Sequence, residues 1–278
     1  MEGVGFARAQ APGLGFTAMG GRVCAEVDGA IGWVIFDHPG RRNALSVEMW
    51  EAIPEVVARL DADERVRVLA LRGRGQAAFV SGADISEFEK RRSGGQAHEY
   101  DELNSRAYAA VASASVPVIA MIHGFCMGGG VGIALQADLR YAAADARFGI
   151  PAARLGLGYS ASSLETLVRL VGPAAAKEML FTARGFGADE ALGVGLVNGV
   201  YPASELEKAV RELGGRMAEN APLTLRSVKS ICGELARQPS ERDPRRVAAG
   251  IAACFESDDF REGVRAFLEK RPPRFRGH

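Results

Sequence analysis

The stretch from Val116 to Gly130 constrains this chain most. Val116–Ile122 is an apolar run of strand length, with Pro117 at its start. It leads through Gly124-Phe125-Cys126-Met127 into Gly128-Gly129-Gly130, and a helical pattern follows to about Ala137. A buried strand that passes through glycines into a helix brings bare backbone close to whatever sits at the turn. The first amides of that helix have no intrahelical acceptor and lie at the positive end of its dipole. Such amides suit a developing oxyanion or enolate. Close packing of a helix on a strand would call for the same glycines, so this stretch alone leaves both readings open.

The rest of the chain places this turn in an α/β framework. Arg22–Asp37 reads as a hairpin: Val23, Ala25 and Val27 alternate, Asp28-Gly29 turns, and Ile31, Trp33 and Ile35 alternate back. Ser46 suits the N-cap of a helix whose apolar face is Met49, Ile53, Val56, Val57 and Leu60. Val66–Arg72 reads as a strand, Gly73–Gly95 as a loop region, Tyr100–Ala114 as a helix and Leu139–Ala142 as a further strand. Phe148–Tyr159 reads as loop-rich, and helices alone follow from Ser163 onward. Early alternation and a helical end imply an α/β core with a C-terminal helical subdomain. The expected division is a flexible Gly/Ala-rich extension over 1–20, a core over 21–202 and a helical subdomain over 203–278.

Composition narrows the classes of function. Lys+Arg and Asp+Glu both count 34, so the net charge is zero. That argues against a broad nucleic-acid surface or a polybasic membrane anchor and leaves room for a local basic pocket. No apolar run reaches the ~18 residues of a membrane span. Met1–Gly20 lacks the basic start and apolar core of a secretory signal, so a cytoplasmic protein is expected. Cys24, Cys126, Cys232 and Cys254 are widely spaced with no CxxC, which reads as reduced thiols and neither a disulfide framework nor a metal site.

Two further elements carry weight beside the glycine run. Arg41-Arg42-Asn43-Ala44-Leu45 is a basic loop before a helix, alone no more than a solvated face or a phosphate contact. Ser81-Gly82-Ala83-Asp84-Ile85 is alone a turn with a possible N-cap. In order and spacing, though, the three elements resemble the crotonase (enoyl-CoA hydratase/isomerase) superfamily. The resemblance continues through Ala137-Asp138-Leu139-Arg140-Tyr141-Ala142, Ala146-Arg147-Phe148-Gly149-Ile150-Pro151 and Phe260-Arg261-Glu262-Gly263, and covers about Arg22 to Arg274.

The resemblance implies a spiral of ββα units with a C-terminal helical trimerisation subdomain, in homotrimers or dimers of trimers. It implies an acyl-CoA thioester substrate, with coenzyme A present as part of the substrate and no tightly bound cofactor. The thioester oxygen would accept hydrogen bonds from the amides of Ala83 and Gly129. Arg41 or Arg42 would face the CoA phosphates. Ala44, Leu45, Ala83, Asp84, Ile85 and Gly128 would line the CoA path, and Phe267 and Lys270 would reach CoA from the last helix, often across a subunit boundary.

The pattern breaks where hydratases of this family carry two glutamates. One position, on the helix after the glycines, is Gly132; the other, after the Phe-x-x-Pro segment, is Ala152. Neither can exchange a side-chain proton, so hydration itself is in question. Tyr159 resembles a tyrosine that malonyl-type decarboxylases place near the substrate carboxylate, and Ser160 a position where a dehalogenase carries its nucleophile. Decarboxylation needs no general base, which makes it one alternative; a non-catalytic acyl-CoA-binding protein is another. Tyr159 could equally pack and Ser160 cap a helix. Asp84 reads as a loop-ordering carboxylate, Asp138 as structural, Glu165 as exposed, His123 as packed, and Cys126 as a candidate pocket residue without a basic neighbour.

Overall fold

Two sheets of very different strand length organise the chain. The computed structural model describes residues 20–84 and 96–278. The large sheet has six strands: β1 (Arg22–Asp28), β2 (Ile31–Asp37), β3 (Val68–Gly73), β5 (Val118–Ile122), β7 (Leu139–Ala143) and β10 (Gly199–Tyr201), in that order across it. The β1–β2 hairpin is antiparallel, and the remaining pairs are parallel. The small sheet runs β4 (Ala78–Val80), β6 (Phe125–Met127), β8 (Arg147–Gly149) and β9 (Phe186–Gly187), with only the last pair antiparallel.

Each long strand of the parallel region is followed by a short strand and then a helix. After β3 and β4 comes α2 (Gln96–Ala112); after β5 and β6 comes α3 (Gly129–Ala134); after β7 and β8 come α4 (Ala152–Leu155) and α5 (Ala161–Thr182); after β9 comes α6 (Ala188–Gly193). This is a spiral of ββα turns. The short strands lie in segments that read as loops in the sequence. A strand of two or three residues is too brief for an alternating pattern to register.

The core follows from the strand sequences. The centre of the large sheet is apolar on both faces, as parallel strands covered on both sides are. One face packs Val34, Phe36, Leu69, Leu71 and Ala120 against α1 (Val47–Asp61) and α2. The other packs Trp33, Ile35, Val68, Ala70 and Ile119 against Leu206 and Val210 of α7 (Leu206–Ala218). Ser46 caps α1 as expected, accepting from the Met49 N–H at 3.3 Å. The long α5 is two helices in effect, because Gly172 (φ 76°, ψ 162°) breaks it just before Pro173.

The chain ends in α8 (Pro222–Leu235), α9 (Pro244–Glu256) and α10 (Asp258–Glu269). These enclose an apolar concavity of about 610 Å³ lined by Leu223, Val228, Ile251, Phe255, Phe260 and Phe267 among others. Glu262 accepts from Arg271 at 2.6 Å and from the Arg274 N–H at 3.0 Å, fastening the terminal segment to α10. No helix among the described residues is long and apolar enough to cross a membrane.

Candidate functional site

The two loops singled out in the sequence meet because of the small sheet. β4 and β6 run parallel, with Ala78 opposite Phe125 and Val80 opposite Cys126. Parallel neighbours leave the sheet at the same edge, so Ser81–Ala83 and Gly128–Gly129 emerge side by side. Both line one cleft, with Trp50 and Tyr108 from the covering helices and Ala152, Tyr159 and Ser160 from the far side. The glycine run thus begins one strand later than the sequence reading had it. Val118–Ile122 turns at Gly124 (φ 55°) into β6 before reaching the glycines.

Ala83 is held by its neighbour on α1's lead-in. The Leu45 N–H donates to the Gly82 carbonyl at 2.9 Å, and the Asp84 N–H donates to the Leu45 carbonyl at 2.9 Å. In a parallel bridge these bonds take the groups flanking Ala83, so the Ala83 N–H points the other way. Gly128 caps α3 with φ 51° and ψ −114°, a conformation that favours glycine; its N–H donates to the Gly149 carbonyl at 2.8 Å and its carbonyl accepts from Gly132 at 3.1 Å. Gly129 is then the first helical residue, and its amide belongs to the set without intrahelical acceptors.

The other glycines of the run answer to packing. A Cβ on Gly130 would lie 2.3 Å from the Val80 carbonyl oxygen, and one on Gly129 would lie 2.9 Å from the Trp50 ring. The close-packing reading therefore applies at Gly129 and Gly130. Gly132 is the most telling. A Cβ there would lie 2.1 Å from the Tyr108 hydroxyl oxygen and 2.6 Å from Cζ. The Tyr108 ring stands edge-on to Trp50, centroids 5.7 Å apart.

The basic loop is shaped by Asn43, which sequence reasoning passed over. Asn43 is buried with φ 57°, and its side chain accepts from the His38 N–H at 3.0 Å and donates to the Ala78 and Arg74 carbonyls at 2.8 and 3.2 Å. This turns Arg41 and Arg42 outward. Arg41 pairs with Asp84 at 3.4 Å, and the Arg42 guanidinium lies 4.9 Å over the Phe125 ring. The Arg41–Asp84 pair joins the two loops. Ala44 and Leu45 are buried, so only their backbone is available to a ligand. Ile85 lies outside the described residues.

Of the other candidates, Phe267 and Lys270 separate from the cleft, whereas Tyr159 and Ser160 line it. Phe267 is exposed and lines the C-terminal concavity, and Lys270 ends the same helix with φ 54°. Ser160 caps α5: its Oγ accepts from the Ser163 N–H at 3.3 Å and lies 2.8 Å from the Ser163 Oγ. Tyr159 is 39% exposed at the cleft wall. Cys126 is fully buried behind the cleft wall, where Met127 and not Cys126 forms the lining; burial pushes its thiol far up, so it is inert. His123 is also buried, and burial lowers its pKa, keeping the imidazole neutral. Asp138 accepts from the Val118 N–H at 2.7 Å and pairs with Lys229 at 2.9 Å, a structural role. Glu165 faces solvent beside Arg169. No cluster of potential metal ligands occurs among the described residues.

The wall opposite the amides comes from α2, in the Tyr100–Ala114 stretch that the family resemblance assigns to the far end of the pocket. Tyr100, Asn104 and Tyr108 recur every fourth residue of α2 and all line the cleft. That spacing was readable as one helical stripe, although nothing in it pointed to a partner at Gly132.

Comparison with known proteins identifies the family and the fold. A family model described as enoyl-CoA hydratase/isomerase matches residues 26–278. The chain is 34% identical over 253 residues to a crotonyl-CoA hydratase of Syntrophomonas wolfei, covering 91% of this chain and 97% of that one. It is 32% identical over 262 residues to a peroxisomal Delta(3,5)-Delta(2,4)-dienoyl-CoA isomerase of Arabidopsis thaliana, covering 90% and 94%. The crystal structure of an enoyl-CoA hydratase/isomerase family protein from Hyphomonas neptunium superposes with a TM-score of 0.86 at 36% identity, covering 92% of this chain and 98% of that one.

Proposed function

Because the chain belongs to the enoyl-CoA hydratase/isomerase family and is an acyl-CoA-processing enzyme of that type, we propose that it holds its thioester by the amides of Ala83 and Gly129 and stabilises the enolate there. The observation that supports this reading is the β4–β6 register, which brings Ala83 and Gly129 from separate loops to one cleft. Amides locked by flanking hydrogen bonds need no reorganisation as charge develops on the oxygen. Arg41 and Arg42 sit outside this cleft on the exposed loop and are assigned to the CoA phosphates. Coenzyme A enters with the substrate, and no separate cofactor is invoked. The exposed apolar face of the C-terminal helices is assigned to assembly as a homotrimer or dimer of trimers, which would bring a neighbour's Phe267 and Lys270 to the CoA. A cytoplasmic location fits these roles.

Paired-carboxylate hydration is not assigned to this site. Gly132 and Ala152 offer no carboxylate, and the Tyr108 hydroxyl fills the space beside Gly132. The chemistry best matched to the cleft is enolate stabilisation without that pair. Tyr159 at the cleft wall gives malonyl-type decarboxylation a specific group to hold the departing carboxylate. A non-catalytic acyl-CoA-binding protein is the remaining alternative. A panel of enoyl-CoA, β,γ-enoyl-CoA and malonyl-CoA esters separates these. The proposal expects turnover of a thioester with little loss of enone absorbance by hydration. Binding without turnover of any ester supports the non-catalytic reading, and no binding of any acyl-CoA overturns the proposal.

A further inference from the structure

The helix that begins at Gly129 is short, and its far end is held by a buried arginine that the proposed chemistry leaves unused. α3 has six residues, too few for its own hydrogen bonds to hold it in water. Its position is therefore set by what fastens its two ends. At the front, the Gly128 N–H donates to the Gly149 carbonyl at 2.8 Å. At the back, the last carbonyls run out of helical donors, and two side chains supply others. Gln136 Nε2 donates to the Gly132 carbonyl at 3.1 Å. Arg140 Nη1 donates to the Ala137 carbonyl at 2.6 Å and to the Ala134 carbonyl at 3.4 Å, and its Nε donates to the Leu196 carbonyl at 2.9 Å.

Arg140 is 5% exposed, and no carboxylate pairs with it among the described residues. Burial pulls its pKa down and the charge of Asp138 holds it up; the guanidinium stays protonated. Hydrogen bonds must replace the hydration that a buried charge loses, and here they go to the C-terminal turn of α3 and to Leu196. The base of this arginine is rigid. It lies on β7 opposite Ala120 of β5, its N–H donates to Asn198 Oδ1 at 2.8 Å, and its carbonyl accepts from the Asn198 N–H at 2.7 Å. The side chain thus ties α3 to a fixed strand of the large sheet. Its charge also complements the negative end of the helix dipole. Six residues span only about 9 Å, so a tilt at the Arg140 end is felt at Gly129, and a working donor needs placement within about 0.5 Å.

We infer that Arg140, seconded by Gln136, is a positioning residue: the two clamp the C-terminal end of α3 and so hold the Gly129 amide in line with the thioester oxygen. The inference rests on the proposed thioester site at Ala83 and Gly129.

Arg140→Lys tests it, because lysine keeps the charge and loses the planar set of donors. Gln136→Ala is a milder second variant that loosens the same end and leaves the arginine in place. Lys229→Met is the control: it removes the Lys229 bonds to Asp138 and to the Val116 carbonyl and none to α3. The readouts are calorimetric binding of butyryl-CoA and the infrared carbonyl stretch of the bound, carbonyl-labelled ester. Arg140→Lys is expected to bind roughly three- to tenfold more weakly than the wild type and to return the stretch part of the way to its value in water. Gln136→Ala is expected to move the stretch the same way by less. Lys229→Met is expected to lower the urea midpoint and keep the wild-type stretch. A wild-type stretch in Arg140→Lys, or in Gln136→Ala where the first variant does not fold, overturns the clamp and leaves the thioester site standing; so does an equal displacement in Lys229→Met. A wild-type complex whose carbonyl absorbs where the free ester does overturns the thioester site and the inference together.

Discussion

Replacing Gly132 by alanine probes the tightest contact in the cleft. The new methyl would begin 2.1 Å from the Tyr108 hydroxyl oxygen, 2.6 Å from Cζ and 3.1 Å from Cε1. Comfortable separation is roughly 3.5 Å, so the end of the ring must retreat by more than about 1 Å. Trp50, 1% exposed and edge-on to the ring, stands against it. Overpacking of this kind costs about 1–3 kcal/mol. Alanine recovers about 0.5–1 kcal/mol of helix propensity at a position inside α3. The net expectation is a loss of about 1–2 kcal/mol, read as a lower urea midpoint at constant slope. Tyr108→Phe cannot relieve the clash, because Cζ remains. In a Tyr108→Ala background only the propensity gain is left, so Gly132→Ala becomes neutral or mildly stabilising there. The two changes should couple by about 1–3 kcal/mol. Gly132→Ala as stable as the wild type, with no coupling to Tyr108→Ala, would refute the claim that Tyr108 fills this space.

Three other outcomes follow from the same geometry. Installing both carboxylates, Gly132→Glu with Ala152→Glu, should give no enone hydration while Tyr108 is present and measurable hydration once Tyr108→Ala clears the space; equal rates in both backgrounds would contradict the steric reading. Asn43→Ala orphans the His38 N–H and the Ala78 carbonyl and leaves a left-handed residue without its preferred side chain, so about 2–4 kcal/mol of stability should be lost by urea unfolding, together with CoA-ester affinity. His123 sets a pH dependence: burial lowers its pKa below 6.5, against opposing effects of Asp145 and Glu207 and with that of Arg72. Between the lowered value and 6.5 the unfolded chain binds more protons than the folded one, so stability falls as pH drops through 6.5 and the loss saturates below the folded pKa. His123→Gln should flatten that part of the stability–pH curve, and an unchanged curve would rule His123 out as the cause.

The fold was legible where the chain repeats a pattern long enough to read. The β1–β2 hairpin, the Ser46 cap and the apolar run ending at Ile122 all announce themselves through alternation or capping chemistry. The small sheet did not, because two- and three-residue strands carry no period, yet this sheet decides which loops meet. Site residues divided in the same way. The roles proposed for Ala83 and Gly129 are backbone roles, so only the ordered motifs around them could point there. Gly132 stood out in the sequence as a missing carboxylate. Its cause lies 24 residues away on another helix, and a single sequence holds no record of that pairing. Asn43 hid inside a loop whose charges drew attention to its neighbours.

The central claim is that the Ala83 and Gly129 amides together grip the thioester oxygen. Isotope-edited difference infrared spectroscopy of a carbonyl-labelled butyryl-CoA reports on those bonds alone. Two aligned N–H donors should lower the thioester carbonyl stretch of the bound ester below its value in water, and should do so equally in the wild type and in Tyr108→Phe. A bound ester whose carbonyl absorbs where the free ester does would contradict the account.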